Sequence, residues 1–246
     1  MKTKVLKFGG SSLADSGQFK KVSDIVKADP SRRFVVASAP GKRFDDDIKV
    51  TDLLYSCYEK ARSGMDFDPV LSEIAGRFRE IITELDIDFD IEPEIEAIKY
   101  NLNDYPSRSY AASRGEYLNS KILAAYLGYE FIDPYYCIHF NSDGTLDTKS
   151  TREDLSETLA PLTNAVIAGF YGSGPDGNII TFTRGGSDIT GSLVAQAVGA
   201  ELYENWTDVS GLLAGDPRII DDPRVVEYIS YRELRTLSYM GATVLH

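Results

Sequence analysis

The sequence lacks the features that are typical of disulfide-stabilised, zinc-binding, nucleic-acid-binding and membrane-surface proteins. It has only two cysteines among 246 residues, Cys57 and Cys137, which are far apart and show no Cys-x-x-Cys spacing. A disulfide-stabilised scaffold and a structural zinc site are therefore not indicated. Basic residues are outnumbered, 26 against 38 acidic ones, and the formal net charge is −12. A general nucleic-acid binder or a protein of anionic membranes would need the opposite sign.

Targeting and membrane-spanning segments are also missing from the pattern. The N-terminal apolar run is too short for a signal peptide because it is interrupted by Lys2, Lys4 and Lys7. No apolar stretch has the length of a membrane span. These absences predict a soluble cytoplasmic protein that binds neither nucleic acid nor membrane. The chain has no GxxxxGK[ST] phosphate loop. Of its two histidines, His139 lacks an evident partner and is interpreted as structural, and His246 is terminal.

Short apolar runs alternate with helical patterns, which predicts an α/β fold around a mainly parallel sheet. Strands are predicted over residues 4–8, 33–38, 130–132, 165–170, 179–182 and 201–206. Helices are predicted over residues 19–29, from about 51, through 63–103, and over 113–128, 188–198 and 231–240. The acidic run from Glu84 to Glu92 interleaves carboxylates with apolar residues and is interpreted as a solvated edge, not as a metal or partner site.

Glycine turns follow the first two predicted strands. In Lys7-Phe8-Gly9-Gly10-Ser11-Ser12, a lysine ends a strand and two glycines precede a helix. Such a turn lets backbone N–H groups approach a phosphate, and Lys7 would add a full positive charge. Ser38-Ala39-Pro40-Gly41 ends the second strand in a similar way, and neighbouring strand ends share a ligand crevice in parallel sheets. The alternative is a plain turn with a solvent-directed lysine.

The most specific local pattern is Arg184-Gly185-Gly186-Ser187-Asp188, which precedes a helical stripe. Arg184 can bind a carboxylate or a phosphate through two hydrogen bonds. Asp188 could orient a lysine, or Ser187 and Asp188 could simply cap the helix. Capping does not explain Arg184 and the two glycines.

Three further segments have both a functional and a structural interpretation. Ser113-Arg114-Gly115-Glu116 fits a helix capping box, or Glu116 binds the ammonium group of a substrate. After Trp206, Asp208 could bind a ribose and Arg218 a phosphate, although the loop is also an ordinary connection. Residues 172–177 match GxGxxG, but a strand follows where a dinucleotide site requires a helix, which predicts a hairpin loop.

In this order, the motifs resemble those of aspartate kinases, which are members of the amino acid kinase superfamily. The resemblance runs from residue 4 to the last residue, through segments that begin at Lys7, Thr51, Arg114, Arg184, Trp206 and Gly241. It implies a three-layer α/β/α sandwich. The amino-acid-binding lobe would span about 1–160 and the nucleotide-binding lobe about 161–246.

The resemblance also implies roles for the matching residues. Those of the phosphate-binding start are Lys7, Phe8, Gly9 and Gly10, with Lys7 as the catalytic cation and Asp188 as its organiser. Those that bind aspartate are Thr51 and Glu116, together with Arg184 and Ser187, which hold the α-carboxylate. Those that bind the nucleotide further along the chain are Thr207, Asp208 and Arg218.

The implied activity transfers the γ-phosphoryl group of ATP, carried with Mg²⁺, to the β-carboxylate of L-aspartate. This is the first step of lysine, threonine and methionine biosynthesis, and the family's enzymes are usually homodimers. A carboxylate with a pKa near ~4 is ionised at neutral pH, so no general base is needed. The alternatives are a kinase for glutamate, acetylglutamate or a nucleotide, and a non-catalytic amino-acid sensor. A dehydrogenase is suggested by the GxGxxG match alone. Glu116 and Arg184 together favour a free amino acid.

The sequence departs from the family pattern at two places. Leu213 stands where members often carry a tyrosine near the nucleotide. Family chains also continue past the apolar segment Gly241–His246, into a further nucleotide-binding lysine segment and then regulatory ACT domains. These departures predict a chain cut short within its fold, without ACT domains.

Overall fold

The computed structural model describes residues 2–208, 211, 220–230, 232, 233 and 236. Residues up to Trp206 form one unit, and those from Thr207 onwards form a second. Arg218, Leu213 and the terminal segment 237–246 lie outside the described residues, as does most of the predicted helix over 231–240. None of the helices in the described part combines the length and hydropathy that crossing a bilayer requires.

The first unit is built on a five-stranded sheet. Its strands are β1 (Lys4–Phe8), β2 (Arg32–Ala37), β3 (Glu130–Ile132), β4 (Ala165–Ala168) and β7 (Leu202–Trp206), and a separate hairpin comprises β5 (Tyr171–Ser173) and β6 (Ile179–Thr181). The sheet has the order β3-β4-β2-β1-β7, and all four pairings in it are parallel. The hairpin is antiparallel. The predicted parallel sheet is confirmed.

Seven helices connect the strands of this unit. They are α1 (Ser16–Lys27), α2 (Val50–Arg62), α3 (Asp68–Glu84), α4 (Glu92–Asp104), α5 (Arg108–Leu127), α6 (Thr148–Leu159) and α7 (Gly186–Ala197). The acidic run between α3 and α4 breaks the long helical pattern at Asp86, where φ is +53°. Its carboxylates are exposed and its apolar residues are buried or half-buried, so the predicted solvated edge is confirmed.

Alternation along the strands separates two hydrophobic cores. Leu6 and Phe8 of β1 face a core that includes residues of helices α1 to α5, whereas Val5 faces a second core with residues of α6 and α7. Successive side chains of a strand point to opposite faces, so both faces of the sheet are covered by helices. The expected three-layer α/β/α sandwich is confirmed. Lys7, two residues after Val5, shares the face covered by α7.

Candidate active site

Strand ends meet closely at the carboxyl edge of the sheet. The Gly9 N–H, just after β1, donates to the carbonyl of Trp206 at the end of β7 (3.2 Å). After β2, the Gly41 N–H donates to the carbonyl of Gly10 (2.8 Å). A Cβ on Gly41 would lie 2.6 Å from the Gly10 carbonyl carbon, well inside van der Waals contact. Glycine is therefore required here for close packing of the two turns.

Lys7 is paired with an acid instead of reaching into solvent. Its Nζ lies 2.9 Å from Oδ1 of Asp188, the third residue of α7, and the two side chains are 9% and 12% exposed. An isolated buried ammonium would be expensive, and the carboxylate partner compensates for that burial. The alternative of a solvent-directed Lys7 is wrong, and the predicted pairing with Asp188 is present.

The turn after β1 leaves backbone donors unused beside this ammonium. Within the described part of the chain, the N–H groups of Gly10 and Ser11 have no hydrogen-bond partner. The Lys7 Nζ lies 3.8 Å from the position that a Cβ on Gly9 would occupy. Unpaired N–H groups next to a positive charge provide the donors that a phosphate oxygen needs.

The segment before α7 takes a tight glycine turn. Gly185 is the N-cap residue with φ +56°, and no side chain caps the helix, so the capping alternative for Ser187 and Asp188 is wrong. Ser187 is buried against the backbone of Gly169, where an added Cβ would lie 2.4 Å from the Ser187 Oγ. Arg184 is exposed and makes no hydrogen bond or ion pair among the described residues. Its guanidinium is available to a ligand.

Helix α5 begins earlier than the sequence pattern predicted. Ser107 is its N-cap and accepts from the Tyr110 N–H (3.3 Å). Ser113 therefore lies inside the helix, its Oγ donates to the Tyr110 carbonyl, and the capping-box interpretation is wrong. The pattern failed because Ala111 and Ala112, which are fully buried, extend the helix upstream of Ser113. Glu116 is free of the capping role.

Glu116 lies in a dry environment beside the end of β2. A Cβ on the preceding Gly115 would lie 2.8 Å from the Ala39 Cβ, so α5 packs directly on this strand end. Burial raises the pKa of Glu116 from 4.5 to about 8, although the Ala39 N–H and the positive charge of Arg114 act in the opposite direction. Oε2 of Glu116 is buried without a hydrogen-bond partner among the described residues. A cation bound there would satisfy this oxygen.

The loop of residues 41–49, which leads to Thr51, is held by an arginine that the sequence analysis missed. Arg77 of α3 donates to the carbonyls of Gly41 (2.8 Å) and Ile48 (2.6 Å), and it lies 3.3 Å from the Asp47 carboxylate. Thr51 is half-buried in the first turn of α2, as its predicted helix start required. The feature of the sequence that could have indicated this role is the position of Arg77, a charged residue within the apolar pattern of a helix.

Backbone contacts link these groups around the end of β2. A Cβ on Gly10 would lie 2.9 Å from the Ala39 carbonyl, and Ala39 also contacts α5 next to Glu116. The Gly169 N–H donates to the carbonyl of Ala37 (3.0 Å), which brings Ser187 to the same edge. The glycine turn, the start of α7 and the buried Glu116 are thus arranged around neighbouring strand ends.

The profile described as the amino acid kinase family matches residues 2–246, which is almost the entire chain. The chain belongs to the amino acid kinase family. The glycine turn after β1 and the acid at the start of α7 are therefore parts of an amino acid kinase fold.

Individual relatives are aspartate kinases. Aspartokinase 3 of Bacillus subtilis is 37% identical over 260 residues, which cover 99% of this chain and 57% of that protein. The crystal structure of Clostridium acetobutylicum aspartate kinase is 52% identical, with a TM-score of 0.94, and the match covers 100% of this chain and 56% of that one. Escherichia coli aspartokinase III in complex with aspartate and ADP is 27% identical, with a TM-score of 0.84 over 99% of this chain and 57% of that one. The chain thus spans little more than half the length of these relatives.

The other residues predicted to bind the nucleotide are Phe8, Thr207, Asp208 and Arg218, and the structure describes the first three. The ring of Phe8 is buried and stacks on Trp206 (centroids 6.1 Å apart), so only its backbone is left for a ligand. In the second unit, Thr207 and Asp208 are exposed, and the Thr207 hydroxyl donates to the Asp208 carboxylate (3.0 Å). Arg218 lies outside the described residues. No group of three or more histidine, cysteine, aspartate or glutamate side chains suitable for a metal occurs in the described part.

Two other expectations concern the hairpin region. The GxGxxG match lies in and after β5 and leads into β6, so the predicted hairpin loop is confirmed. His139 has partners, which corrects the expectation from sequence: its Nε2 lies 2.6 Å from the Asp154 carboxylate and its Nδ1 lies 3.2 Å from the Ser173 hydroxyl. Both partners are remote in sequence, so no local pattern could reveal them.

Proposed function

We propose that this protein phosphorylates the β-carboxylate of L-aspartate with ATP, forming 4-phospho-L-aspartate. The observation that carries the proposal is the Lys7 ammonium held by Asp188 beside the unpaired N–H groups of Gly10 and Ser11. That arrangement offers positive charge and main-chain donors to a transferred phosphoryl group. The similarity to an aspartokinase in complex with aspartate and ADP supports the choice of both reactants.

The chemistry requires alignment and charge stabilisation more than proton transfer. The acceptor carboxylate is already ionised at neutral pH, with a pKa near ~4, so it attacks without a general base. The obstacle is repulsion between this carboxylate and the triphosphate, on a chain whose net charge is −12. Lys7 would neutralise charge on the transferred group, and Asp188 would direct Lys7. The backbone of Gly9 and Gly10 would hold the adjacent phosphate oxygens.

Magnesium would enter with the nucleotide. The ion would be held by phosphate oxygens and water, because Mg²⁺ usually keeps several of its waters and is bound through substrate phosphates. Bound in that way, Mg²⁺ supplies charge neutralisation on the phosphates. Thr207, Asp208 and Arg218, in a nucleotide-binding lobe over about 161–246, are proposed contacts of the nucleotide. The backbone of Phe8, at the end of β1, is proposed as a further contact.

Aspartate would be recognised through its charges, by the amino-acid-binding lobe over about 1–160 together with residues at the start of α7. The unsatisfied Oε2 of Glu116 is suited to an ammonium group, which an N-acetylated amino acid lacks. Arg184, exposed and without a partner among the described residues, would hold the α-carboxylate together with Ser187, and Thr51 would contact the same substrate. We further propose that the enzyme acts as a cytoplasmic homodimer in lysine, threonine and methionine biosynthesis.

The test is an acyl-phosphate trap. The protein is incubated with ATP, Mg²⁺ and hydroxylamine, and hydroxamate formation is measured with L-aspartate, L-glutamate or N-acetylglutamate as acceptor. We expect hydroxamate with L-aspartate and little with the other two acids. Hydroxamate from glutamate alone would assign a different substrate. L-Aspartate binding without any hydroxamate would indicate an amino-acid sensor and overturn the proposal.

A further inference from the structure

Asn205 lies beside the Lys7–Asp188 pair, although no sequence motif pointed to it. In the parallel pairing of β1 with β7, Lys7 is in register with Asn205. Residues in register on adjacent strands present their side chains on the same face of a sheet. That face is covered by α7, which carries Asp188 in its first turn. Lys7 and Asn205 therefore approach the same carboxylate from neighbouring strands.

The contacts are direct. Asn205 Nδ2 donates to Oδ1 of Asp188 (3.2 Å), the same oxygen that lies 2.9 Å from Lys7 Nζ. Two residues earlier on β7, the hydroxyl of Tyr203 donates to the backbone carbonyl of Asp188 (3.4 Å). The Tyr203 ring also packs against Gly191, where an added Cβ would lie 2.5 Å from its hydroxyl oxygen. Strand β7 thus contacts Asp188 at both its main chain and its carboxylate.

We propose that Asn205 is a positioning residue that holds the Asp188 carboxylate while Lys7 turns from it towards the transferred phosphoryl group. This inference rests on the proposed function. In the ligand-free arrangement Asp188 shares the charge of Lys7, and a phosphoryl oxygen has to compete for it. A largely buried carboxylate that loses its ammonium partner pays a desolvation penalty unless another donor remains.

The amide of Asn205 is suited to be that remaining donor. It is already hydrogen-bonded to the shared oxygen, so the carboxylate keeps a partner and its orientation when Lys7 moves. It is also neutral, and a neutral donor does not compete with Lys7 for the negative phosphate as a second cation would. The expected consequence is a lower barrier for phosphoryl transfer, with little effect on the binding of aspartate.

Steady-state kinetics of single-residue variants of the full protein provide the first test. Asn205 is exposed on β7, so the three variants compare exposed positions. Asn205→Leu removes the amide but keeps the branched shape of the side chain, Asn205→Gln retains the amide on a longer side chain, and Asn103→Leu makes the same change at another exposed position, on α4. We expect Asn205→Leu to lower kcat about tenfold while KM for aspartate changes less than about twofold. Asn205→Gln should recover most of the loss, and Asn103→Leu should match the wild type. An unchanged kcat in Asn205→Leu would overturn the proposal.

A double-mutant cycle with Asp188→Asn tests whether Asn205 acts through Asp188. If it does, Asn205→Leu has little further effect on kcat once Asp188 is changed. The same tenfold loss in both backgrounds would mean that Asn205 acts independently of Asp188, and the proposal would be wrong. Hydroxamate accumulates over time, so slow variants remain measurable.

A measurement that does not depend on catalytic turnover distinguishes failure of this inference from failure of the proposed function. In ¹⁵N-lysine NMR, the ammonium signal of Lys7 is assigned by its loss in Lys7→Arg. We expect Asn205→Leu to shift that signal and Asn103→Leu to leave it in place, because only the first change alters the partner of Lys7. An unmoved signal in Asn205→Leu refutes the positioning role. If wild-type protein phosphorylates no aspartate but the signal shifts, the proposed function alone fails.

Discussion

An ammonium group that binds beside Glu116 should displace a proton from it. Burial raises the pKa of Glu116 from 4.5 to about 8 in the ligand-free protein. At pH 7 the carboxyl group is then about 0.9 protonated. A positive charge next to the unsatisfied Oε2 favours the ionised form and lowers this pKa. We therefore expect release of about 0.9 proton for each L-aspartate bound at pH 7.

Calorimetric titration in buffers of different ionisation enthalpy measures the protons released. The observed binding enthalpy should change from phosphate to Tris buffer by about 0.9 times the difference between their ionisation enthalpies. The affinity for L-aspartate should also increase about ninefold from pH 6 to pH 7 and about fivefold from pH 7 to pH 8, and level off above. Both effects come from the same proton.

Matched variants make the reasoning refutable. Glu116→Gln removes the titrating group and should abolish both the proton release and the slope of affinity with pH. Glu130→Gln makes the same change at an exposed position of β3 and should leave both unchanged. Wild-type protein that binds L-aspartate without exchanging a proton at pH 7 would show that Glu116 is not the site of the ammonium group.

Three more predictions concern the strand ends and the buried acid. Lys7→Ala should lower kcat in the hydroxamate assay at least about 10²-fold with a modest change in KM, and an effect on KM alone would contradict its role. Gly41→Ala should destabilise the protein by about 1–3 kcal/mol in urea unfolding, because its Cβ would overlap the Gly10 backbone, whereas Gly76→Ala, in open space on α3, should stabilise by about 0.5–1 kcal/mol. The raised pKa of Glu116 means that the folded state holds its proton more strongly than the unfolded chain. Between about pH 4.5 and 8 the free energy of unfolding should therefore fall by up to about 1.4 kcal/mol per pH unit relative to Glu116→Gln, and equal slopes would contradict the buried assignment.

The sequence predicted correctly those features that depend on interactions between residues close together in the chain. The first two strands, the hairpin at the GxGxxG match and the exposed acidic run between α3 and α4 follow from residue spacing and turn chemistry. It misled at the start of α5, where Ser113 has the pattern of a cap but lies among buried alanines. Packing of that helix in the core outweighs the capping preference of one serine.

Contacts between remote residues could not be derived in this way. Arg77 reaches a loop about thirty residues upstream, and His139 pairs with Asp154 and Ser173 only through the meeting of α6 with the hairpin. The hydrogen bond from Asn205 to Asp188 exists because β7 lies next to β1 in the sheet. Strand order is a property of the assembled sheet and leaves no local mark in sequence.

The amino-acid sequence by itself determined the alternation of strands and helices, the glycine turns and the identity of the charged groups near them. These depend on side-chain spacing and backbone freedom, which act over a few residues. Tertiary structure alone decided which charges are paired and which are left unsatisfied. Elements far apart in the chain pack together and exclude water, and this packing creates the pairing of Lys7 with Asp188 and the dry surroundings of Glu116. The strength of an electrostatic interaction depends on that exclusion of water.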